Sequence, residues 1–425
     1  MDNLTLKQII LDQRDELAVL FKKDIIERRL VSFHESDMRT DLLKVITGVR
    51  RCGKSVYAHL ILRGLKYAYI NFDDERLMGL EAADLNDVYQ VLREITPDAA
   101  ALIFDEIQNV SGWELFINRL KRKGLQIVIT GSNSNLLSQE LSTHLTGRYL
   151  PYELFPFSFR EYLDFFGKPA SPDQGISTDQ KADLLSMLDG YIQRGGFPET
   201  FVLESPYGYL RELYDKLITR DIVLRYALQN VKALKDIALY LVSNFGNRFS
   251  YNRLRNMFDI KSVHTAQNYT EYLERVYLVF QLPAFSHKVS QHARHPRKIY
   301  CVDSGMINAL APRLTIDLGR MIENLVFLEM KRRGREIFFY PMPSGEVDFV
   351  VRDQNRVRQL VQVCLSVDNP ETLKRELKSL CKASAELSCS NLVVLTWDTE
   401  RDVLNAGTSI RLIPLWKWLL EKSDD

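Results

Sequence analysis

Short apolar runs alternate with helix-permitting segments in the first part of the chain. The runs cover residues 42–47, 67–72, 101–105 and 126–130, and another at 149–154 ends shortly before Pro156. Runs of this length and character predict buried strands. Because strands that alternate with helices form parallel sheets, we expect an α/β domain over residues 41–165. In residues 1–40 the apolar positions recur at roughly helical intervals, which predicts a helical leader.

After residue 165 the pattern becomes mainly helical and then changes again. Three helix-like segments followed by a strand-like run have the order of a winged helix-turn-helix, which we place at about residues 232–282. We expect a helical middle over residues 166–315 that contains this winged helix. A helix near 323–332 and four strand-like runs beyond it predict a small α/β module over residues 316–425.

Composition narrows the class of protein. The chain has 425 residues, with 56 Lys+Arg against 55 Asp+Glu and a formal net charge of +1, so any surface that binds nucleic acid must be local. Its five cysteines lack CxxC spacing, which argues against a disulfide framework or a zinc ribbon. No apolar run approaches the ~18 residues of a membrane span, and the first residues do not resemble a signal peptide. We therefore expect a cytoplasmic protein without a membrane partner.

A phosphate-binding loop follows the first predicted strand. Residues 48–55 read GVRRCGKS and fit G-x-x-x-x-G-K-[ST] between a strand and a helix. The two glycines allow backbone N–H groups to turn toward phosphate oxygens, and the helix adds its dipole. We expect Lys54 to contact the β- and γ-phosphates and Ser55 to bind Mg²⁺. The nucleotide-binding candidates in this loop are Gly48, Val49, Arg50, Arg51, Cys52, Gly53, Lys54, Ser55 and Val56.

The predicted strand at 101–105 brings two acidic residues to the phosphate-binding loop. It ends in Asp105, predicted to orient Mg²⁺, and Glu106, predicted to polarise the attacking water. Glu106 and Lys54 are the candidate catalytic residues. A nucleotide switch that binds without hydrolysing is the competing hypothesis.

Three further polar residues refine the site. Ser132 and Asn133 follow the strand at 126–130 and are candidate sensors of the γ-phosphate, with a helix N-cap as the alternative. Arg148 is a candidate catalytic arginine finger toward a neighbouring subunit, with an ordinary solvated arginine as the alternative.

Together these motifs resemble those of prokaryotic AAA+-type P-loop ATPases that carry a C-terminal domain of unknown function. The resemblance extends over nearly the whole chain, since further matching segments lie at residues 129–132, 145–149, 195–199, 298–300 and 303–305. It implies ATP as the nucleotide and an ATPase core with a parallel sheet in the order 5-1-4-3-2. It also implies a middle region with a winged helix and a C-terminal domain similar to restriction endonucleases.

The C-terminal module resembles a PD-(D/E)xK nuclease core with altered chemistry. Glu323 and Asp348 match two acidic positions, but Gln362 stands where such enzymes have Glu and Cys364 where they have Lys. Neutral Gln is a weaker ligand for a hard metal, and a thiol supplies no fixed positive charge. We expect no cleavage, and the alternative role for Asp348 is a structural hydrogen bond. A fold retained without catalysis remains able to bind nucleic acid or protein.

A basic region lies between residues 244 and 302. It contains nine Lys or Arg residues against three acidic ones, which predicts a contact with DNA or RNA. Gln267 and Asn268 on the candidate recognition helix would face base edges, whereas the alternative is a winged helix used only for packing. The sequence thus predicts a Mg²⁺-dependent ATPase whose nucleotide state moves the helical and C-terminal domains, with DNA as a candidate partner. The alternative is a non-hydrolysing scaffold that recruits a protein partner, and a homo-oligomer fits either hypothesis.

Overall fold

The chain divides into two compact units, Met1–Phe155 and Pro156–Asp425, in a computed structural model. The residues described are 1–22, 25–28, 30, 33–132, 147–169, 176–286, 296–311, 317–343, 345–365, 367, 369–405 and 407–421.

The first unit is built on a five-stranded parallel sheet. Its strands are β1 (Leu43–Gly48), β2 (Tyr67–Asn71), β3 (Ala101–Asp105), β4 (Gln126–Gly131) and β5 (Tyr149–Leu154). They lie in the order β2-β3-β4-β1-β5, and every neighbouring pair is parallel. This confirms the P-loop NTPase order predicted for the ATPase core. β1 and β3 are buried at every position, as expected of strands covered on both faces.

The α-helices among the described residues of this unit are α1 (Asn3–Leu20), α2 (Lys54–Leu60), α3 (Leu85–Ile95) and α4 (Trp113–Lys121). α1, the predicted leader, buries Leu6, Ile9 and Ile10 in the same hydrophobic core as the sheet. The side-chain amide of Gln13 also bonds the edge strand β2, donating to the Asn71 carbonyl at 3.1 Å and accepting from its N–H at 2.9 Å. The leader is therefore an integral part of the first unit.

The second unit begins with helices and a small sheet. Its helices up to this sheet are α5 (Phe159–Phe165), α6 (Thr178–Arg194), α7 (Glu199–Val202), α8 (Pro206–Lys216), a π-helical segment (Leu217–Leu224), α9 (Val231–Ser243), α10 (Tyr251–Met257) and α11 (Val263–Arg275). Strands β6 (Arg248–Phe249), β7 (Val279–Leu282) and β8 (Arg297–Cys301) form an antiparallel sheet in the order β6-β8-β7, here called the middle sheet. α9, β6, α10, α11, β7 and β8 thus follow one another as helix, strand, two helices and two strands.

Two glycine-containing segments singled out in the sequence meet in one tight junction. Asp303 precedes α12 (Ser304–Leu310) and accepts the Gly196 N–H at 2.6 Å and the Met306 N–H at 3.0 Å. A Cβ at Gly195 would collide with the Asp303 carboxylate, and one at Gly305 would collide with the Arg194 carbonyl. Both segments require glycine because their backbones touch each other.

The C-terminal module follows with a six-stranded sheet. Its elements are α13 (Leu318–Arg332), β9 (Glu336–Met342), β10 (Gly345–Asp353), β11 (Arg356–Val363), α14 (Pro370–Leu387), β12 (Leu392–Thr396), β13 (Arg401–Asn405), β14 (Thr408–Pro414) and α15 (Leu415–Leu420). The sheet order is β13-β14-β12-β11-β10-β9. β9, β10 and β11 pair antiparallel, whereas β11, β12 and β14 pair parallel.

The described part of the chain contains no helix that is both long and apolar enough to cross a membrane.

Candidate nucleotide site

The phosphate loop leaves β1 through a strained turn. Gly48 has a φ of +147°, and a Cβ there would collide with the Leu154 carbonyl of the neighbouring strand β5. Cys52 also approaches this carbonyl and donates its thiol hydrogen to it at 3.3 Å. Arg51 and Gly53 have φ angles of +69° and +93°, after which α2 begins at Lys54. The loop therefore curls at the end of the strand, as phosphate binding requires.

Arg28, in the N-terminal segment, is hydrogen-bonded to this loop. Its two terminal nitrogens donate to the Cys52 carbonyl at 2.5 Å and to the Phe155 carbonyl at 2.6 Å. The sequence analysis missed Arg28, because nothing in the pattern of a charged leader distinguishes an arginine that reaches the loop from one in solvent.

Lys54 lies at the centre of the site and is only 5% exposed. Its ammonium nitrogen donates to the Val49 carbonyl at 3.2 Å and lies 3.3 Å from a carboxylate oxygen of Glu106. Burial alone would lower the pKa of Lys54, but the charge of Glu106, together with smaller contributions that include Asp105, raises it above its ordinary value. Lys54 is therefore a fixed positive charge inside the loop.

Asp105 and Ser55, the two predicted metal ligands, are hydrogen-bonded to each other. Asp105 is buried at the end of β3, and it also accepts hydrogen bonds from the hydroxyls of Thr130 and Tyr69. Burial, followed by the nearby charge of Glu106, raises the pKa of Asp105. A hydroxyl and a carboxylate are hard oxygen donors, so these two residues fit Mg²⁺.

Glu106 has a left-handed backbone, with φ +51°, directly after β3. One of its carboxylate oxygens accepts the Ser132 N–H at 3.1 Å and the Ser132 hydroxyl at 3.0 Å, together with the Gln108 amide. Burial opposes ionisation, but Lys54 and then Arg50 outweigh it and lower the pKa of Glu106 to about 2. Glu106 is thus an anion at any physiological pH.

Thr130 joins the two acidic residues and was also missed. Its hydroxyl oxygen accepts the Glu106 N–H at 3.1 Å and its hydroxyl hydrogen goes to Asp105. The signal was present, because parallel pairing of the predicted neighbours β3 and β4 brings their carboxyl ends together.

The other predicted residues lie in different surroundings. Val49 and Cys52 are fully buried, and burial raises the pKa of the Cys52 thiol, so this cysteine is not an activated nucleophile. Arg50 pairs with Asp73 at 3.0 Å, Arg51 is exposed and Val56 is half-buried. Ser132 lies at the site through its contact with Glu106, whereas Asn133 lies outside the described residues.

Arg148 lies at the opposite end of β1 from the loop. Its carbonyl accepts the Leu43 N–H at 3.1 Å, at the start of β1, and the residue is exposed. The structure therefore does not bring Arg148 to the phosphate loop of its own chain, and its predicted action on a neighbouring subunit stays a prediction.

Comparisons with known proteins agree with this geometry. A family model described as AAA domain matches residues 40–163, and a second, described as a domain of unknown function (DUF8612), matches residues 185–317. The chain is also 35% identical over 426 residues to the uncharacterised protein MJ1544 of Methanocaldococcus jannaschii, covering 96% of this chain and 93% of that protein. The chain belongs to a family of AAA-domain proteins that includes MJ1544.

A second relative of this AAA-domain chain comes from Haemophilus influenzae. It is an uncharacterised protein, 30% identical over 369 residues, covering 82% of this chain and 88% of the relative. Among solved structures, the replication initiator DnaA bound to AMPPCP and single-stranded DNA aligns over 59% of this chain and 90% of that chain, with 16% identity and a TM-score of 0.29. A TM-score this low supports no inference about this chain.

The sheet order and the family together identify residues 40–163 as an AAA+-type P-loop NTPase domain. The resemblance stated from the motifs is confirmed for this domain. The domain supports nucleotide binding by this chain.

Proposed function

We propose that the chain is a Mg²⁺-dependent ATPase that uses the site around Lys54. The observation that carries this proposal is the convergence of three groups at the phosphate loop. The Lys54 ammonium lies 3.3 Å from Glu106, and the Ser55 hydroxyl bonds Asp105, so a cation for phosphates, a metal-binding pair and a carboxylate base are adjacent. Each group has the chemistry that phosphoryl transfer to water needs.

In this mechanism Lys54 exchanges one anionic partner for another. Its ammonium pairs with Glu106, and the β- and γ-phosphate oxygens of ATP would replace that carboxylate. Ser55 and Asp105 would hold Mg²⁺, which neutralises the charge that develops on the phosphates. Glu106, released from Lys54 but still held by Ser132, accepts a hydrogen bond from the attacking water.

The test is steady-state ATP hydrolysis by the full chain and by Glu106→Gln. Removal of a base lowers turnover about 10²- to 10⁴-fold, while the uncharged side chain should keep nucleotide binding. Glu75→Gln is the matched control, since Glu75 is an exposed carboxylate in the same unit. Equal turnover in Glu106→Gln and wild type would reject Glu106 as the base.

A nucleotide-dependent scaffold that recruits a protein partner is the second candidate function. It is favoured by the engagement of Glu106, which Lys54, Ser132 and Gln108 all contact. If these contacts persist with ATP bound, the carboxylate is unavailable to water and turnover is slow. Tight ATP binding with no wild-type turnover would identify this function.

The second unit supports two domain proposals. The order of α9, β6, α10, α11, β7 and β8 is that of a winged helix, and it extends over residues 231–301. The C-terminal module begins with a helix (α13) and an antiparallel three-stranded meander (β9, β10 and β11). A crossover helix (α14) and a strand parallel to β11 (β12) follow. This order supports the restriction-endonuclease-like assignment. We propose that the nucleotide state moves these domains.

Contact with DNA is a further proposal, supported by the exposed part of the basic region. Arg253 and Lys261 are exposed and Arg255 is half-exposed on and beside α10. Other candidates are engaged elsewhere, because Gln267 donates to Glu271 at 2.9 Å and Asn268 lies 3.3 Å from His264. The double change Arg253→Ala with Arg255→Ala should weaken salt-sensitive DNA binding. Unchanged affinity would reject this surface.

A further inference from the structure

A second buried lysine lies among carboxylates in the C-terminal half of the chain. Lys298, the second residue of β8, is 1% exposed. Its ammonium nitrogen lies 2.7 Å from Glu323, 2.7 Å from Glu346 and 3.3 Å from Asp348. An ammonium has three N–H donors, so these three carboxylates saturate it.

The cations and the anions of this cluster come from different parts of the fold. All three carboxylates belong to the C-terminal module, with Glu323 on α13 and the other two on β10. The middle sheet supplies Lys298 and, from β6, Arg248, which donates to Glu346 at 2.6 and 3.0 Å. The cluster is therefore a charge-complementary joint between the middle sheet and the C-terminal module.

The same position is where a nuclease of the resembled type would hold a divalent cation, and the residues do not fit one. The second oxygen of Asp348 accepts the Val363 N–H at 3.0 Å. The Gln362 side chain accepts the Asp348 N–H at 3.2 Å and donates to Glu376 at 2.7 Å. A metal would have to displace a buried ammonium from its three partners and also take an oxygen that is already hydrogen-bonded.

The charges around this position favour a protonated lysine rather than a metal ion. Burial disfavours the charged ammonium, but Glu323, Asp348 and Glu346 outweigh it and raise the pKa of Lys298. The hydroxyl of Tyr300, also on β8, donates to Glu323 at 2.6 Å and fixes that carboxylate on the lysine. Removing one partner from such a buried cluster leaves an uncompensated charge, so the members hold one another in place.

We propose that the Lys298 ammonium is the built-in cation of this carboxylate cluster and takes the position of a divalent metal. The centre then joins the middle sheet to the C-terminal module and does not cleave nucleic acid. This inference is independent of the ATPase proposal, because it uses no residue of the nucleotide site.

The test is competitive acylation of lysines in the intact full-length protein, read by mass spectrometry. The accessible neutral amine is the reactive form. Because Lys298 is buried and three carboxylates hold its ammonium, it should react at least about tenfold more slowly than an exposed lysine. Lys66, whose side chain is 72% exposed in an ion pair with Asp98, is the matched control. Millimolar Mg²⁺ or Mn²⁺ should leave the rate at Lys298 unchanged.

Two results would overturn the proposal. Faster acylation of Lys298 when the metal is added would show that an ion displaces the lysine, and equal rates at Lys298 and Lys66 would show that the cluster does not hold it. Asp348→Asn supplies a second readout, because it retains Glu323 and Glu346 and should fold. Acylation of Lys298 should be faster in this variant, and Mn²⁺-dependent DNA cleavage that it abolishes would also reject the proposal.

Discussion

Among the described residues, two buried lysines face carboxylates, one in each compact unit, and their surroundings differ in kind. Lys54 follows a glycine of a curled loop and faces one carboxylate at 3.3 Å. Lys298 lies on a strand and contacts three carboxylates, two of them at 2.7 Å. In the proposed mechanism the first pair exchanges its carboxylate for phosphate oxygens, whereas the three carboxylates around Lys298 leave its ammonium no N–H for a further partner. We infer that a buried lysine–carboxylate pair indicates a ligand site only where the surrounding backbone allows another anion to reach the ammonium.

The largest expected effect on stability is that of Lys298→Met. Loss of one partner from a buried ion cluster leaves unpaired charge and costs about 3–5 kcal/mol, here in the unfolding of the second unit. Denaturant unfolding followed by hydrogen exchange of β8 and β10 measures it. Lys382→Met is the control, since Lys382 is an exposed residue that pairs with Glu386 only at 4.0 Å. If Lys298→Met unfolds at the wild-type midpoint, the joint is not formed as described.

Lys54→Met should affect ligand binding more than folding. Losing charge-assisted contacts to phosphate costs about 1.5–3 kcal/mol, or roughly 10- to 100-fold in ATP affinity. Equilibrium binding of a fluorescent ATP analogue measures the change, with Lys66→Met as the exposed-lysine control. Unaltered affinity would remove Lys54 from the nucleotide site and with it the contrast between the two lysines.

The free energy of unfolding of the second unit should depend on pH, because its buried cluster contains a carboxyl group, Asp348, with a shifted pKa. Burial, followed by the charge of Glu323, raises the pKa of Asp348 above its usual range, so the folded state binds this proton more tightly than the unfolded state. Stability should therefore fall as the pH rises from about 4 toward neutrality, by at most about 1.4 kcal/mol per pH unit for one group. Asp348→Asn should flatten this slope in unfolding measurements across that range. A slope equal to that of wild type would assign the pH dependence to other groups.

Arg248→Ala is expected to have the smallest effect. The Arg248 and Glu346 side chains are 40% and 29% exposed, so their pair is partly solvated and is worth about 0.2–1 kcal/mol. The loss should shrink further in high salt, as measured by unfolding at two ionic strengths. A loss as large as that of Lys298→Met would mean that the arginine, rather than the lysine, holds the joint.

The site around Lys54 could be predicted from the sequence, whereas the cluster around Lys298 could not. The order of the first sheet is implied by the resemblance to AAA+-type ATPases and is confirmed. The adjacency of Lys54, Asp105 and Glu106 follows from a motif confined to a few consecutive residues and from two buried strands. Lys298 lies 25 residues before Glu323, its nearest partner along the sequence, and it lies on a different element. The role of Lys298 can be recognised only from the three-dimensional structure. Strands β13 and β14 were also missed, because β13 is largely exposed and its sequence lacks the alternation of a half-buried strand.

The most direct test of the account is the acylation rate of both lysines in one sample, with and without MgATP. The account predicts that MgATP slows modification of Lys54, because phosphate oxygens take the place of Glu106 and cover the ammonium, and that Lys298 reacts at the same low rate in both conditions. An unchanged rate at Lys54, or a faster rate at Lys298 with MgATP, would contradict it.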